Sequence, residues 1–261
     1  MEPVIEFVYQ GKTYPSWGSV SGHYRTKEYD LGKFNRYAKL GFMADDLIKT
    51  FKENLSSDYS SILGRCSYAA LLMMKYGVRI GNEDSAEGYV SGMEKTKGEL
   101  VHTYGTTTLL NKHINFKKSK MYLDFLGKEQ VEHHLIIDDS LLIRYGELYY
   151  DSSKLEEKWL KLDYDMMFDF VKNEIGEGFI PKDLRTFCAN ITAWNAMVEY
   201  FDLPKHTKRS DAKKEIHDTV IIVSSRLQNT PSVARSQYLD SRMLEWFLEQ
   251  RMEEEEMEEE E

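Results

Sequence analysis

The chain has 261 residues, 41% of them hydrophobic and 13% aromatic, enough to bury a sizeable core as one large domain or two small ones, which excludes disorder throughout. Its formal net charge of −10 is an average over unlike parts: the last ten residues, MEEEEMEEEE, hold eight of the 44 acidic residues, and the other 36 nearly balance 34 lysines and arginines. Neither a basic, apolar leader nor a run of about eighteen apolar residues occurs, so the protein is expected to be soluble and intracellular, away from membranes.

In chain order, IEFVYQGKTY alternates weakly and passes into SWGSVSGHYRTKEYD, which predicts a short strand or hairpin and an irregular entry over 1–28. Apolar residues then recur at helical spacing through FNRYAKLGFMADDLIKTFKENL and SSILGRCSYAALLMMKYGVRIG, predicting two packed helices, the second ending at glycines. The polar, glycine-containing stretch between Asn82 and His102 reads as a loop with a short helix at most. From Ile114 to Leu142, three apolar runs separated by KKSK and GKEQ predict antiparallel strands. Helical periodicity resumes in KLEEKWLKLDYDMMFDFVKNEIG, LRTFCANITAWNAMVEYF and AKKEIHDTVIIVSSRL. The expected fold is α+β, mainly α-helical, with one small three-stranded antiparallel sheet in a body over 29–250. The self-repelling glutamates make 251–261 a disordered tail.

Most enzyme signatures lack their residues: G-x-x-x-x-G-K-[ST], G-x-G-x-x-G, G-x-S-x-G and H-E-x-x-H are all missing from the sequence. Two cysteines, Cys66 and Cys188, form no C-x-x-C and no spaced framework, which argues against structural zinc and for a reducing compartment; Cys188 reads as a small buried apolar residue. His133 and His134 are adjacent in a predicted strand and would face opposite sides, which argues against a joint metal site.

Four stretches resist a packing explanation. In YGVRIGNE, Arg79 stands between two glycines at the end of an apolar helix; in FLGKEQVEH, Lys128 sits at a hairpin tip. In IPKDLRTF, Lys182 and Arg185 share one face near a helix start that Pro181 and Asp183 help to form. In NTPSVARSQYLD, Tyr238 follows Arg235 by one helical turn and Asn229 by nine residues. Taken singly, these are a surface cation, a turn lysine, a salt-bridged arginine and a core tyrosine. Together they supply a phosphodiester transfer to tyrosine. Two arginines can grip the non-bridging oxygens as charge builds there, with Asn229 a neutral donor. A lysine with its pKa lowered by neighbouring cations can protonate the leaving sugar oxygen, and the tyrosine hydroxyl is the nucleophile. The scheme needs no metal. Basic runs with aromatic neighbours at 33–39, 111–120 and 205–214 suit a phosphate-tracking surface. Lys112, Lys118, Lys182 and Arg235 are the candidate DNA contacts.

These stretches resemble, in order, the motifs of the type IB DNA topoisomerases of the compact poxvirus, giant-virus and bacterial kind. YGVRIGNE is similar to the segment with the first catalytic arginine, YGTTTLLNKHI to the stretch after it, and FLGKEQVEHHLII to the strand pair bearing the catalytic lysine. PKDLRTF is similar to the segment with the second arginine, and NTPSVARSQYLD to that of the nucleophile. The resemblance covers Tyr76 to Asp240 and implies the DNA breaking–rejoining fold shared with tyrosine recombinases. It implies a catalytic set of Arg79, Lys128, Arg185, Asn229 and Tyr238, and relaxation of supercoiled double-stranded DNA through a 3′-phosphotyrosyl intermediate by a monomer, without ATP, divalent ion or other cofactor. Asn229 is histidine in poxvirus-like members and asparagine in bacterial-like ones. Only 78 residues precede Arg79, and part of these should form the body's first helices, so the family's separate N-terminal β domain is not expected within them. Tyrosine recombinases are the nearest rival, but their usual histidine three residues before the second arginine is Lys182 here. A DNA-binding relative without turnover is the third reading, and the intact five-residue set argues against it.

Overall fold

The structure, a computed structural model, describes residues 5–17, 29–88 and 102–253. The chain divides into two compact units, one made of Met1–Phe42 with Ala189–Glu261 and the other of Met43–Cys188. Two helices contribute residues to both: α1 (Tyr29–Asp58) and α6 (Pro181–Val198).

The Met43–Cys188 unit is built around α2 (Ile62–Tyr76), whose residues Cys66–Met74 are all buried. Ser61 starts it by accepting from the Gly64 amide, and Gly64 is obligatory there because a Cβ would lie 2.3 Å from the Asp58 carbonyl oxygen. Tyr68 centres the core, donating to the Leu142 carbonyl at 2.8 Å and meeting Trp159 edge-on. After the short α3 (Glu83–Ala86) come the three expected strands, β3 (Ile114–Lys117), β4 (Lys120–Leu126) and β5 (Glu132–Ile137), in the order β3-β4-β5 and all antiparallel. Alternation puts His133, Leu135 and Ile137 inward and Glu132, His134 and Ile136 outward. α4 (Ser140–Tyr149) follows, N-capped by Asp139.

One sequence expectation is corrected here. The helix expected from Lys154 to Gly176 starts only at α5 (Tyr164–Phe170), where the Asp163 carboxylate accepts from the Met166 amide, and it runs on as a π-turn over Val171–Ile175. The preceding residues pair instead with the segment before β3, Trp159 donating to the Leu109 carbonyl at 2.8 Å. Buried Trp159, Leu160 and Leu162 give an apolar pattern that satisfies a helical period without forming one.

The other unit opens with the hairpin β1 (Ile5–Tyr9) and β2 (Lys12–Ser16), whose Phe7 and Tyr14 stack and are almost fully buried. Its core gathers Ala193 and Met197 of α6 with Val220, Val223 and Leu227 of α7 (Arg209–Leu227). Short α8 (Pro231–Gln237) adds Ala234, and α9 (Ser241–Gln250) adds Leu244 and Phe247. Arg251, which the sequence assigns to the tail, is 1% exposed: it pairs with Glu215 at 2.7 Å and donates to the Leu203 and Pro204 carbonyls. The glutamate run from residue 254 lies outside the described residues, as do residues 18–28 of the expected N-terminal entry and 89–101 of the expected loop. Both cysteines are free and buried, and burial pushes the Cys66 thiol up to about 12. Among the described residues no helix is long and apolar enough to cross a membrane.

Candidate active site

In the Met43–Cys188 unit, α2 stops at Gly77, and the chain turns through Val78, Arg79 and Ile80. A loop of three threonines holds this turn. The amide and hydroxyl of Thr106 both donate to the Arg79 carbonyl (2.7 and 2.8 Å), and those of Thr107 to the Ile80 carbonyl (2.7 and 2.9 Å). Tyr76 anchors the other side, donating to the Asp138 carboxylate at 2.6 Å and accepting from the Asp138 and Asp139 amides. Burial, followed by that carboxylate, raises the Tyr76 phenol to about 12. Arg79 is thus presented by a fixed backbone. Its side chain is half-buried, and its Nε has no hydrogen-bond partner among the described residues.

Arg185 comes from the first turns of α6, which Pro181 begins and Asp183 supports by accepting from the Ile180 amide at 2.9 Å. The guanidinium is 2% exposed and donates through Nη1 to the carbonyl of Gly77, two residues before Arg79. Lys182, one turn earlier on the same helix, is exposed.

Lys128 is exposed in the turn between β4 and β5, as the hairpin pattern predicts. The residue before it shows what positions that turn. A Cβ on Gly127 would lie 2.3 Å from Nε2 of His133, so the glycine backbone rests directly against the imidazole. The same ring stacks on its cross-strand partner Phe125, centroids 4.7 Å apart and 11° from parallel. Burial, then the charges of Arg185, Arg79 and His134, lowers the His133 pKa to about 4, so the ring is neutral at pH 7. His133 therefore links the lysine turn to the surroundings of both arginines. Sequence reasoning weighed it only as half of a metal pair; the inward phase of β5 was the available signal.

The other unit holds Asn229 and Tyr238 on either side of α8. Asn229 follows the left-handed Gln228 that ends α7, and both its side-chain amide atoms are buried without a hydrogen-bond partner among the described residues. Thr230 caps α8 by accepting from the Val233 amide, with Pro231 at its first turn. Tyr238 ends α8 and is 5% exposed, part of this unit's core. Asn190, fully buried on α6, holds that end: its Nδ2 donates to the Tyr238 carbonyl at 2.8 Å and its Oδ1 accepts from the Asp240 amide at 3.0 Å. Asp240 then caps α9 and pairs with Arg242. Nothing local in the sequence marks Asn190 beyond a polar residue in an apolar helix.

Of the candidate DNA contacts, Lys118 and Arg235 are exposed and Lys112 is exposed but paired with Glu156 at 2.6 Å.

Residues 22–261 match the family model described as eukaryotic DNA topoisomerase I, catalytic core. The chain belongs to this family. Among relatives of the topoisomerase I core, DNA topoisomerase I of monkeypox virus and DNA topoisomerase 1B of vaccinia virus (strain Copenhagen) are each 30% identical over 149 residues, 55% of this chain and 45% of the relative. The chain thus spans about half the length of the curated relatives it matches. Among solved structures, the XerH site-specific recombinase bound to its difH substrate in a pre-cleavage complex aligns over 87% of this chain and 67% of its own. Its TM-score of 0.38 and 13% identity are too low to bear on function.

Proposed function

We propose that this topoisomerase I family member relaxes supercoiled duplex DNA as a type IB enzyme, one chain acting on one duplex. The observation that carries this reading is the placing, within one unit of a topoisomerase I core, of Arg185 on the Gly77 carbonyl two residues before Arg79, together with the Lys128 turn packed on the buried ring of His133. In the proposed reaction the Tyr238 hydroxyl attacks a backbone phosphorus. The bond from phosphorus to the tyrosine oxygen forms as the bond to the 5′ oxygen breaks. The phenolic proton leaves to water, and Lys128 delivers a proton to the departing 5′ oxygen. Arg79 and Arg185 hold the non-bridging oxygens, where the added negative charge accumulates, and Asn229 donates an uncharged N–H. The free 5′ end rotates. Its hydroxyl then attacks the phosphotyrosine and returns its proton to Lys128; the bond from phosphorus to the tyrosine oxygen breaks as the 5′ ester re-forms, and the Tyr238 oxygen takes a proton back from water. Bond energy is conserved in the phosphotyrosyl linkage, so the cycle has no need of ATP, and the cations of Arg79, Arg185 and Lys128 take the charge-neutralising role that a divalent ion would otherwise have.

Supercoiled plasmid incubated with the protein in EDTA and without ATP is expected to give a ladder of relaxed topoisomers, and detergent is expected to trap protein on a 3′ end. Tyr238→Phe should fold and bind DNA while losing both. A 5′ attachment, a magnesium requirement, or turnover only when two duplexes are brought together would overturn the reading.

A further inference from the structure

The far end of the small sheet carries a feature that the proposed chemistry does not use. β3 and β4 are joined by Lys118 and Ser119, both left-handed, with φ of 51° and 58°. A two-residue turn with both positions left-handed favours Asn-Gly, and lysine and serine carry a Cβ penalty there. Lys117 and Lys120 flank the turn as directly opposed cross-strand partners, an arrangement in which like charges repel. Among the described residues, no carboxylate meets any of these three exposed ammonium groups. Elsewhere in the same unit Lys75, Lys112, Lys154, Lys158, Lys161 and Lys172 have acidic partners, while the exposed Lys49, Lys52 and Lys128 meet none among the described residues; the hairpin tip differs from these in gathering three such cations within four positions. The hairpin tip is therefore built against its own local stability, with three cations left uncompensated.

We propose that this tip is a phosphate-binding anchor for duplex DNA, remote from the catalytic turn. The identity of the polyanion rests on the function proposed above. β4 runs from Lys120 to Leu126, a rise of about 20 Å at roughly 3.4 Å per residue, and this separates the tip from the Lys128 turn at the strand's other end. That length matches about six base pairs of B-form DNA, at roughly 3.4 Å per phosphate along each strand. Ammonium groups on flexible stems suit sequence-independent contact to backbone oxygens, so the anchor adds affinity without base readout.

The test uses equilibrium binding of Tyr238→Phe protein to a 30-base-pair duplex across a salt series, so that it does not depend on cleavage. The variant Lys117→Thr, Lys118→Asn, Ser119→Gly, Lys120→Thr removes three charges and supplies the residues the turn prefers. Each phosphate contact contributes about 0.9 to the slope of log affinity against log salt, so the slope should become shallower by about two to three units. Affinity at 50 mM salt should fall roughly tenfold or more, while the melting temperature stays or rises. Replacing the three lysines by arginine should keep the slope. An unchanged slope in the charge-removed variant, or a loss matched by the arginine variant, overturns the anchor. Loss of binding to vesicles of anionic phospholipid with DNA binding unaltered also overturns it. Failure of the broader reading would appear separately, as wild-type protein that does not relax plasmid.

Discussion

Gly127 shows how narrowly the lysine turn is specified. Its backbone lies against His133, and the 2.3 Å clearance for a Cβ leaves no room for alanine unless strand or ring moves. Gly127→Ala should therefore act on catalysis through Lys128, one residue on. If Lys128 protonates the leaving oxygen, Lys128→Ala should slow cleavage by roughly 100-fold or more, as general acids typically contribute. On a substrate whose 5′ bridging oxygen is replaced by sulfur, which leaves without a proton, both variants should regain most of the lost rate. Single-turnover cleavage of the two substrates measures this directly. Equal slowing on both would remove the lysine from the role and leave Gly127 a purely structural residue.

At the scale of elements, α8 is a seven-residue helix whose distal end is tied to α6 through the Asn190 side chain. Asn190→Ala would remove one donor to the Tyr238 carbonyl and the acceptor of the Asp240 amide in a buried setting, at about 1–3 kcal/mol for each buried group that loses its hydrogen bond. A displacement of about 1 Å at a reacting group can cost on the order of 100-fold in rate. The variant should thus melt earlier and form the covalent adduct at least about tenfold more slowly at saturating DNA. Asn190→Asp separates the two bonds, since it can still accept from Asp240 but cannot donate to Tyr238. An adduct rate matching wild type in both variants would show that the tether does not position the tyrosine. The same comparison explains what the sequence made legible. Arg79 after the α2 stop, Lys128 at a hairpin tip and Arg185 behind Pro181 are each announced by turn or cap residues within a few positions, and strands β3 to β5 with helices α1, α2, α6 and α7 follow from periodicity, whereas the short α4, α8 and α9 do not. Asn190 and His133 act through partners that are 48 residues away in sequence or across a strand pair, where no local pattern reaches. The stretch before α5 misled for the opposite reason, since its tryptophan and leucines are buried by pairing with a distant segment and only mimic a helical face.

For the molecule as a whole, the pH dependence of stability should be set on the acid side by two buried imidazoles of the Met43–Cys188 unit. His133 and His113 are both lowered to about 4, burial being the largest cause in each, with Lys112 adding to it at His113. An unfolded histidine titrates near pH 6.5, so between about 4 and 6.5 the unfolded chain binds protons that the folded one refuses. Stability must therefore rise with pH across that window and be lost on acidification, at a slope of up to about 1.4 kcal/mol per pH unit for each ring. Carboxylates held low, such as Asp139 beside Lys75 and Glu215 beside Arg251, also lose their contribution as pH falls, but below the ordinary carboxylate range. His134 is raised by Asp124 and works in the reverse sense, yet it stands in solvent, where such pairs contribute little. Urea melts from pH 4 to 7 should accordingly show a steep loss beginning near 6.5. His113→Gln, which spares the proposed catalytic residues, should roughly halve the slope in that window. A slope indifferent to this change would mean that the His113 imidazole takes up its proton in the folded protein as readily as in the unfolded chain, and that acid lability originates in other groups.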